Sequence, residues 1–196
     1  MELDKDLKAR QEARTLAKQA EEAQKVLAQM SQQQLDKIAE AMADAFYKES
    51  SALADMAVRE TGFGNSEDKT TKNQFASRRV WEAVRDMKTV GVLSRNQKEK
   101  LWEIGVPMGV IAAIVPSTNP TSTVCYKAII ALKSGNSIVF SPHPKALFCT
   151  LKAAEIVRAA AEKAGAPKGS IGCLGIASMA GCQELMTAPQ VRLILA

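Results

Sequence analysis

From residue 101 onward, short apolar runs alternate with helix-patterned segments, and this alternation restricts the fold of the 196-residue chain more than any other feature. Val110–Val115 is a continuous β-branched and apolar run closed by Pro116, and 137–140, 171–174 and Val191–Leu195 repeat the pattern. Between them, 121–133 is stopped by Gly135, 146–164 is followed by Gly165, and 178–186 completes the series of predicted helices. Runs without polar alternation suit strands covered on both faces, the condition of a parallel sheet. Strand, helix and strand at this spacing predict βαβ units with right-handed crossovers. The charge distribution agrees: residues 101–196 hold eight Lys and Arg and four acids, against 18 and 17 in residues 1–100. The fold class is therefore α/β, with three N-terminal helices followed by an incomplete Rossmann-like parallel sheet.

The three helices are read from periodicity and caps. Ala9, Ala13, Leu16, Ala20, Ala23, Leu27 and Met30 alternate steps of four and three along one face. With barely three heptads and mostly alanine, that face fits a helix lying against its own domain better than a coiled-coil seam. Ser31 and Gln34 form an S-x-x-Q capping box for a second helix, whose stripe is Leu35, Ile38, Met42 and Phe46 and which runs on through Leu53 and Met56 to Gly62. Ser66 caps a third, with Ala76, Val80, Val84 and Met87 as its apolar face. Residues 89–100 read as a polar connection, and 101–106 alternates as a half-exposed strand.

Composition narrows the class. A hydrophobic fraction of 46% excludes a disordered chain, and no apolar run approaches the length of a membrane-spanning helix. The charged start, Met1 to Arg10, is unlike a signal peptide, so a cytoplasmic protein is expected. The net charge of +5 is spread thinly, without a basic run, which argues against nucleic-acid binding. Cys125, Cys149, Cys173 and Cys182 have no metal-ligand spacing, and His143 is the single histidine, so no metal site is expected. The chain stops inside the apolar run Val191–Leu195, with no following loop and helix, which predicts a piece of a longer protein.

Ligands of open α/β sheets sit beyond the carboxyl ends of the strands. The loop after Val115 holds Pro116, Ser117, Thr118, Asn119, Pro120, Thr121, Ser122 and Thr123 before a helix N-terminus, where N–H groups attract phosphate or a developing oxyanion. The same hydroxyls also serve as plain helix caps. The next loop, Ser141-Pro142-His143-Pro144, holds a histidine stiffened by prolines at a strand end, placed to contact a ribose or adenine. The G-x-G-x-x-G fingerprint is absent, as is an acid at the end of the second strand. Cys125 lies one turn into the first helix, where a helix dipole lowers a thiol's pKa, but no base is visible beside it.

The strings Gly109-Val-Ile-Ala-Ala-Ile-Val-Pro-Ser-Thr-Asn-Pro-Thr-Ser-Thr123 and Leu132-Lys-Ser-Gly-Asn-Ser-Ile-Val-Phe-Ser-Pro-His-Pro-Lys145 resemble the CoA-acylating branch of the aldehyde dehydrogenase superfamily. That branch comprises acetylating acetaldehyde dehydrogenases, free-standing or as the N-terminal half of bifunctional aldehyde-alcohol dehydrogenases. Met56-Ala-Val-Arg-Glu-Thr-Gly62, Glu67-Asp-Lys69, Lys72-Asn-Gln-Phe-Ala-Ser77 and Asp86-Met-Lys-Thr-Val-Gly91 resemble the same family. The resemblance implies NAD as cofactor, coenzyme A as co-substrate, a small aldehyde as substrate and a homo-oligomer, in the cytoplasm or a bacterial metabolic compartment. In the family a cysteine thiolate attacks the aldehyde, hydride passes to NAD and the acyl group passes to coenzyme A.

Ile114, Val115, Pro116, Ser117, Thr118 and Asn119 match the family's cofactor loop, and Ser141 stands where many non-acylating relatives carry a ribose-binding lysine. Asn119 corresponds to the oxyanion asparagine, one position farther from Pro116 than in the usual Pro-Trp-Asn. None of the four cysteines matches the nucleophile motif. On this reading 1–100 is the helical part and 101–196 the βαβ part of one NAD-binding domain, with the catalytic domain absent and this chain inactive by itself. The strand at 101–106 resembles one used in oligomer contacts, its partner strand expected beyond residue 196. Two alternatives remain: a non-acylating NAD-dependent aldehyde dehydrogenase, or a non-catalytic interaction module using the N-terminal helix.

Overall fold

The computed structural model describes residues 4–196; residues 1–3, the start of the charged Met1-to-Arg10 stretch, lie outside the described residues. Helix α1 (Lys5–Leu27) is capped by the Asp4 carboxylate and buries Ala9, Ala13, Ala17, Ala20, Ala23 and Leu27. Ala17 occupies the central position that the heptad-like spacing gave to Leu16. A 3.6-residue period passes as easily through 13, 17 and 20 as through 13, 16 and 20, and the smaller side chain sits where the helix lies closest to the sheet. Leu16 packs at the edge of the same cluster. The alanine face is thus covered within the domain.

Helix α2 (Gln32–Lys48) begins with the expected capping box, Gln34 N–H donating to Ser31 Oγ at 3.3 Å and Ser31 N–H to Gln34 Oε1 at 2.9 Å. Its predicted continuation to Gly62 is a separate helix, α3 (Ser50–Thr61), because the backbone leaves helical geometry at Glu49 (φ −95°, ψ 5°). Gly62 ends α3 at φ +70°, the left-handed conformation that glycine adopts without a Cβ penalty. The next helix, α4 (Ser66–Gln74), is capped by Asn65 rather than Ser66, its Oδ1 accepting from Asp68 N–H at 2.8 Å. A π-helical stretch, Phe75–Arg79, leads into α5 (Val80–Val84). The helix is over before Met87, which is therefore exposed instead of completing the apolar face.

The supposed polar connection also contains structure. Strand β1 (Gly91–Asn96) pairs antiparallel with β2 (Leu101–Gly105), so the strand read at 101–106 has a partner immediately upstream. Polar side chains hid this strand because both faces of the hairpin are largely exposed, which removes the burial that produces alternation.

The main sheet holds β3 (Val110–Val115), β4 (Ser137–Pro142), β5 (Ile171–Cys173) and β6 (Val191–Leu195), all parallel, in the order β5-β4-β3-β6. Helices α6 (Pro120–Lys133), α7 (Leu147–Lys163) and α8 (Met179–Met186) make the crossovers. Val110, Ala112 and Val139 face α1 and α8, while Ile111, Ala113, Val115, Ile138 and Phe140 face α2, α6 and α7. Edge strand β6 leaves Leu193 and Ile194 exposed. Lys133, at the end of α6, is fully buried; its ammonium donates to Asp36 Oδ1 at 2.6 Å and to the Arg85 carbonyl at 3.0 Å, joining α6 to α2 and to the end of α5.

Replacing Ala17 by Leu forces three additional carbons into the contact between α1 and the sheet. It is expected to lower stability by about 1–3 kcal/mol in urea unfolding, whereas Leu16→Met at the edge stays below about 1.5 kcal/mol.

Candidate functional site

The chain runs from β3 to β4 and on to β5 on one side, then crosses back through α8 to β6 on the other side of β3, which makes the crevice between the carboxyl ends of β3 and β6 a topological switch point. Ile114 pairs with Ser141 and Val115 with Pro142, and the His143 N–H donates to the Val115 carbonyl at 3.1 Å. The two loops singled out from the sequence are therefore neighbours in space. Ser141 is buried in the strand, His143 is exposed, and the His143 Nδ1 accepts the Lys145 N–H at 3.1 Å, so this ring caps its own turn.

The hydroxyls expected to cap α6 do something else. No side chain caps this helix: Asn119 takes the N-cap position and Pro120 the first turn, while Thr121 Oγ1 donates to Asn73 Oδ1 at 2.8 Å. Asn73, itself buried, donates to the Ser50 carbonyl at 2.9 Å, so α4 and α3 fix the loop from behind. The first turn of α6 keeps its partial positive charge toward the end of β3.

Lysines add to that charge. Lys69 is buried and donates to the Thr118 carbonyl at 2.7 Å; burial, with the neighbouring charge of Lys72, pushes its pKa below the ordinary lysine value. Lys72 donates to Asn119 Oδ1 at 3.3 Å, which leaves the Asn119 Nδ2 group as a donor, 3.5 Å from Thr118 Oγ1. Lys127, on α6, is 1% exposed and donates to the carbonyls of Ile114 and Leu195 at 2.9 and 2.8 Å. Next to the loop runs a groove of about 770 Å³ whose walls include Lys72, Phe75, Val80, Pro116, Asn119 and Tyr126.

The neighbouring loops carry the opposite charge. Glu60 accepts the N–H groups of Phe148 and Cys149 at 2.8 and 2.7 Å and so neutralises the start of α7. Glu12 accepts those of Gly175 and Ile176 at 2.9 and 3.0 Å beyond β5. An anion is thus received best at the end of β3, where the helix start is uncapped. Sequence reasoning found the loop but not Lys69, Lys72, Asn73, Lys127, Glu60 or Glu12, since charges inside amphipathic helices look solvated. Glu60, Lys69, Lys72 and Asn73 at least belong to strings that resemble the family, whereas Glu12 and Lys127 lie outside them and carried no signal.

The thiols are not prepared for chemistry. Cys125 and Cys149 are buried. Burial pushes the Cys125 pKa well above the ordinary thiol value, outweighing the helix dipole. Burial and the Glu60 carboxylate push Cys149 up to about 12, and burial and Glu12 push Cys173 up to about 12. Among the described residues no group of three His, Cys, Asp or Glu side chains is arranged to hold a metal, and no helix is long and apolar enough to cross a membrane.

A parallel sheet wound on both faces, with a stiff, positively framed loop at its switch point, defines a Rossmann-like α/β domain. The aldehyde dehydrogenase family model matches residues 5–196, and the chain belongs to that family. It is 46% identical over 185 residues to the bifunctional aldehyde-alcohol dehydrogenase of Escherichia coli K12, covering 94% of this chain and 21% of that protein. The crystal structure of an acetylating aldehyde dehydrogenase from Geobacillus thermoglucosidasius superposes with a TM-score of 0.97 at 52% identity, over 98% of this chain and 43% of that one. A propionaldehyde dehydrogenase from the fucose utilisation bacterial microcompartment of Clostridium phytofermentans superposes with a TM-score of 0.76 at 30% identity, over 91% of this chain and 40% of that one. The chain thus spans well under half the length of these relatives.

In native protein near neutral pH, a thiol reagent is expected to label Cys182 first and to leave Cys125 and Cys149 unmodified until the chain unfolds, as read by peptide mass mapping. Rapid native labelling of Cys125 would show that its thiol is available as a nucleophile.

Proposed function

We propose that this chain is the N-terminal part of the NAD-binding domain of a CoA-acylating aldehyde dehydrogenase, with 1–100 as its helical part and 101–196 as its βαβ part. The overall reaction takes a short-chain aldehyde, coenzyme A and NAD⁺ to acyl-CoA, NADH and a proton, reversibly. The observation that carries this reading is the uncapped start of α6 beside Pro116–Asn119, framed by Lys69, Lys72 and Lys127 at the switch point of the sheet. Similarity to an acetylating enzyme favours acyl transfer to coenzyme A over release of the free acid.

The residues present fit a dinucleotide. The first turn of α6 offers unfilled N–H groups and positive charge to an anionic ligand, and the loop before it is stiffened by two prolines. Ile114, Val115, Pro116, Ser117, Thr118 and Asn119 form one wall of the cofactor crevice, and Ser141 and His143 stand at the next strand end. Nicotinamide, when bound, supplies a hydride acceptor. Lys72 holds the Asn119 side-chain oxygen, so the Nδ2 group is the one offered to a developing oxyanion. The apolar walls of the groove, Phe75, Val80 and Tyr126, would exclude water beside that donor.

The four thiols are held in the interior or away from this loop, so this reading places the nucleophilic cysteine outside these 196 residues. The exposed apolar side chains of the hairpin, Leu101, Trp102 and Ile104, support contacts with further copies in a homo-oligomer. The assembled enzyme would act in the cytoplasm or a bacterial metabolic compartment. Recruitment through the alanine face of α1 is disfavoured, since that face is already buried against the sheet and α8.

The test is to assay the complete polypeptide containing this chain with acetaldehyde. NADH formation is expected to require coenzyme A and to yield acetyl-CoA; free acetate formed without coenzyme A would establish the non-acylating reaction instead. In the same assay Asn119→Ala is expected to lower kcat by about 10²–10³-fold, the usual loss for an oxyanion donor.

A further inference from the structure

Lys127 is the most thoroughly buried charge beside the switch point, at 1% exposure, and no carboxylate among the described residues accepts from it. Its two acceptors are main-chain carbonyls on two different strands, Ile114 of β3 and Leu195 of β6. The last registered pair between these strands is Ala113 with Leu195. On its other side β3 pairs with β4, Ile114 with Ser141 and Val115 with Pro142. The ammonium therefore bridges two neighbouring parallel strands near their carboxyl ends, bonded to both at 2.9 and 2.8 Å.

This is an expensive position for a charge. Desolvation pushes the lysine's pKa down, and a buried charge is retained only where strong hydrogen bonds offset its loss of water. The stem comes from the third turn of α6, the helix whose first turn faces the proposed ligand. One side chain thus ties together β3, β6 and α6, the three elements whose ends bound the crevice. A bond length of 2.8–2.9 Å on each side fixes how far the strand ends can separate.

We propose that Lys127 is a positioning residue for the dinucleotide: by clamping the carbonyls of Ile114 and Leu195 it sets the width of the crevice at the switch point. This inference rests on reading that crevice as the cofactor site. The lysine does not touch the ligand; it holds the loop that begins at Pro116 in register with the end of β6. Without the clamp, both carbonyls lose their donor and the carboxyl ends of β3 and β6 are free to shift against α6, which misplaces the start of α6 relative to the opposite wall.

The experiment uses the complete polypeptide and reads NADH affinity by fluorescence titration, the KM values for NAD and acetaldehyde, and the thermal midpoint. Lys127→Met keeps the stem volume and removes the clamp; Lys127→Gln is a gentler neutral variant whose amide is too short to span both carbonyls. Whichever folds is expected to bind NADH about tenfold more weakly, with the KM for NAD rising in proportion, the KM for acetaldehyde near wild type and the midpoint modestly lowered by the two orphaned carbonyls. Lys127→Arg, which keeps charge and donors, is expected to recover most of that affinity. A folded Met or Gln variant with wild-type NADH affinity overturns the clamp, and so does a parallel loss in both KM values with a fallen midpoint, which marks a merely structural lysine. Wild-type protein that fails to bind NADH defeats the cofactor reading itself and the clamp with it.

Discussion

A parallel sheet must be covered on both faces, and the rest of this structure depends on how that requirement is met. On one side Ile111, Ala113, Val115, Ile138 and Phe140 meet the apolar stripes of α2, α6 and α7. On the other, Val110, Ala112 and Val139 meet α1, whose contact residues there are alanines. Small side chains let the helix axis approach closely, and the closeness extends to α8, where a Cβ at Gly181 would stand 3.2 Å from the Ala9 Cβ. With α1 seated, the Glu12 carboxylate reaches the loop beyond β5, and Arg10 and Arg14 reach Glu184 on α8. The cover of this face and the carboxylate beyond β5 are consequences of one helix position.

Charge then separates three otherwise similar strand ends. Helix starts and turns beyond β4 and β5 receive carboxylates from α3 and α1, whereas the loop beyond β3 receives lysines from α4 and α6. Each N–H group satisfied by a glutamate is withdrawn from any anionic ligand, and each lysine bonded to a carbonyl leaves the N–H groups of its loop free. Lys69, Lys127 and Lys133 share a design in which a buried ammonium donates to main-chain carbonyls at 2.7–3.0 Å and joins elements distant in sequence. They make the cationic frame rigid, since a buried charge cannot leave its acceptors without losing them to no solvent.

Much of this architecture was legible from residue types. The four strands are readable as apolar runs at 110–115, 137–140, 171–174 and 191–195, because coverage of a parallel sheet removes polar alternation; the structure extends the second through Ser141 and Pro142, read as loop, and ends the third at Cys173. The capping box at Ser31 and the stop at Gly62 are local chemistry, decided by neighbours three or four residues away. The hairpin strand Gly91–Asn96 was not legible, since its exposed faces impose no pattern. The break at Glu49 was equally hidden: α2 and α3 share a continuous helical periodicity, and only their separate packing, α2 on α6 and α7 and α3 on α4, turns the chain there.

For the site the division is sharper. The sequence by itself determined the parallel α/β class, the position of the Pro116–Asn119 loop at a strand end, and, through its motifs, the aldehyde dehydrogenase resemblance. Only the tertiary structure decided which charges are solvated and which are buried, and therefore that Lys69 and Lys127 act on Thr118, Ile114 and Leu195 while the Ser and Thr hydroxyls leave α6 uncapped. The physical reason is range. Caps and strand runs follow from residues within a turn or two, whereas a lysine's partner 49 or 68 positions away in the chain is set by how the helices pack on the sheet.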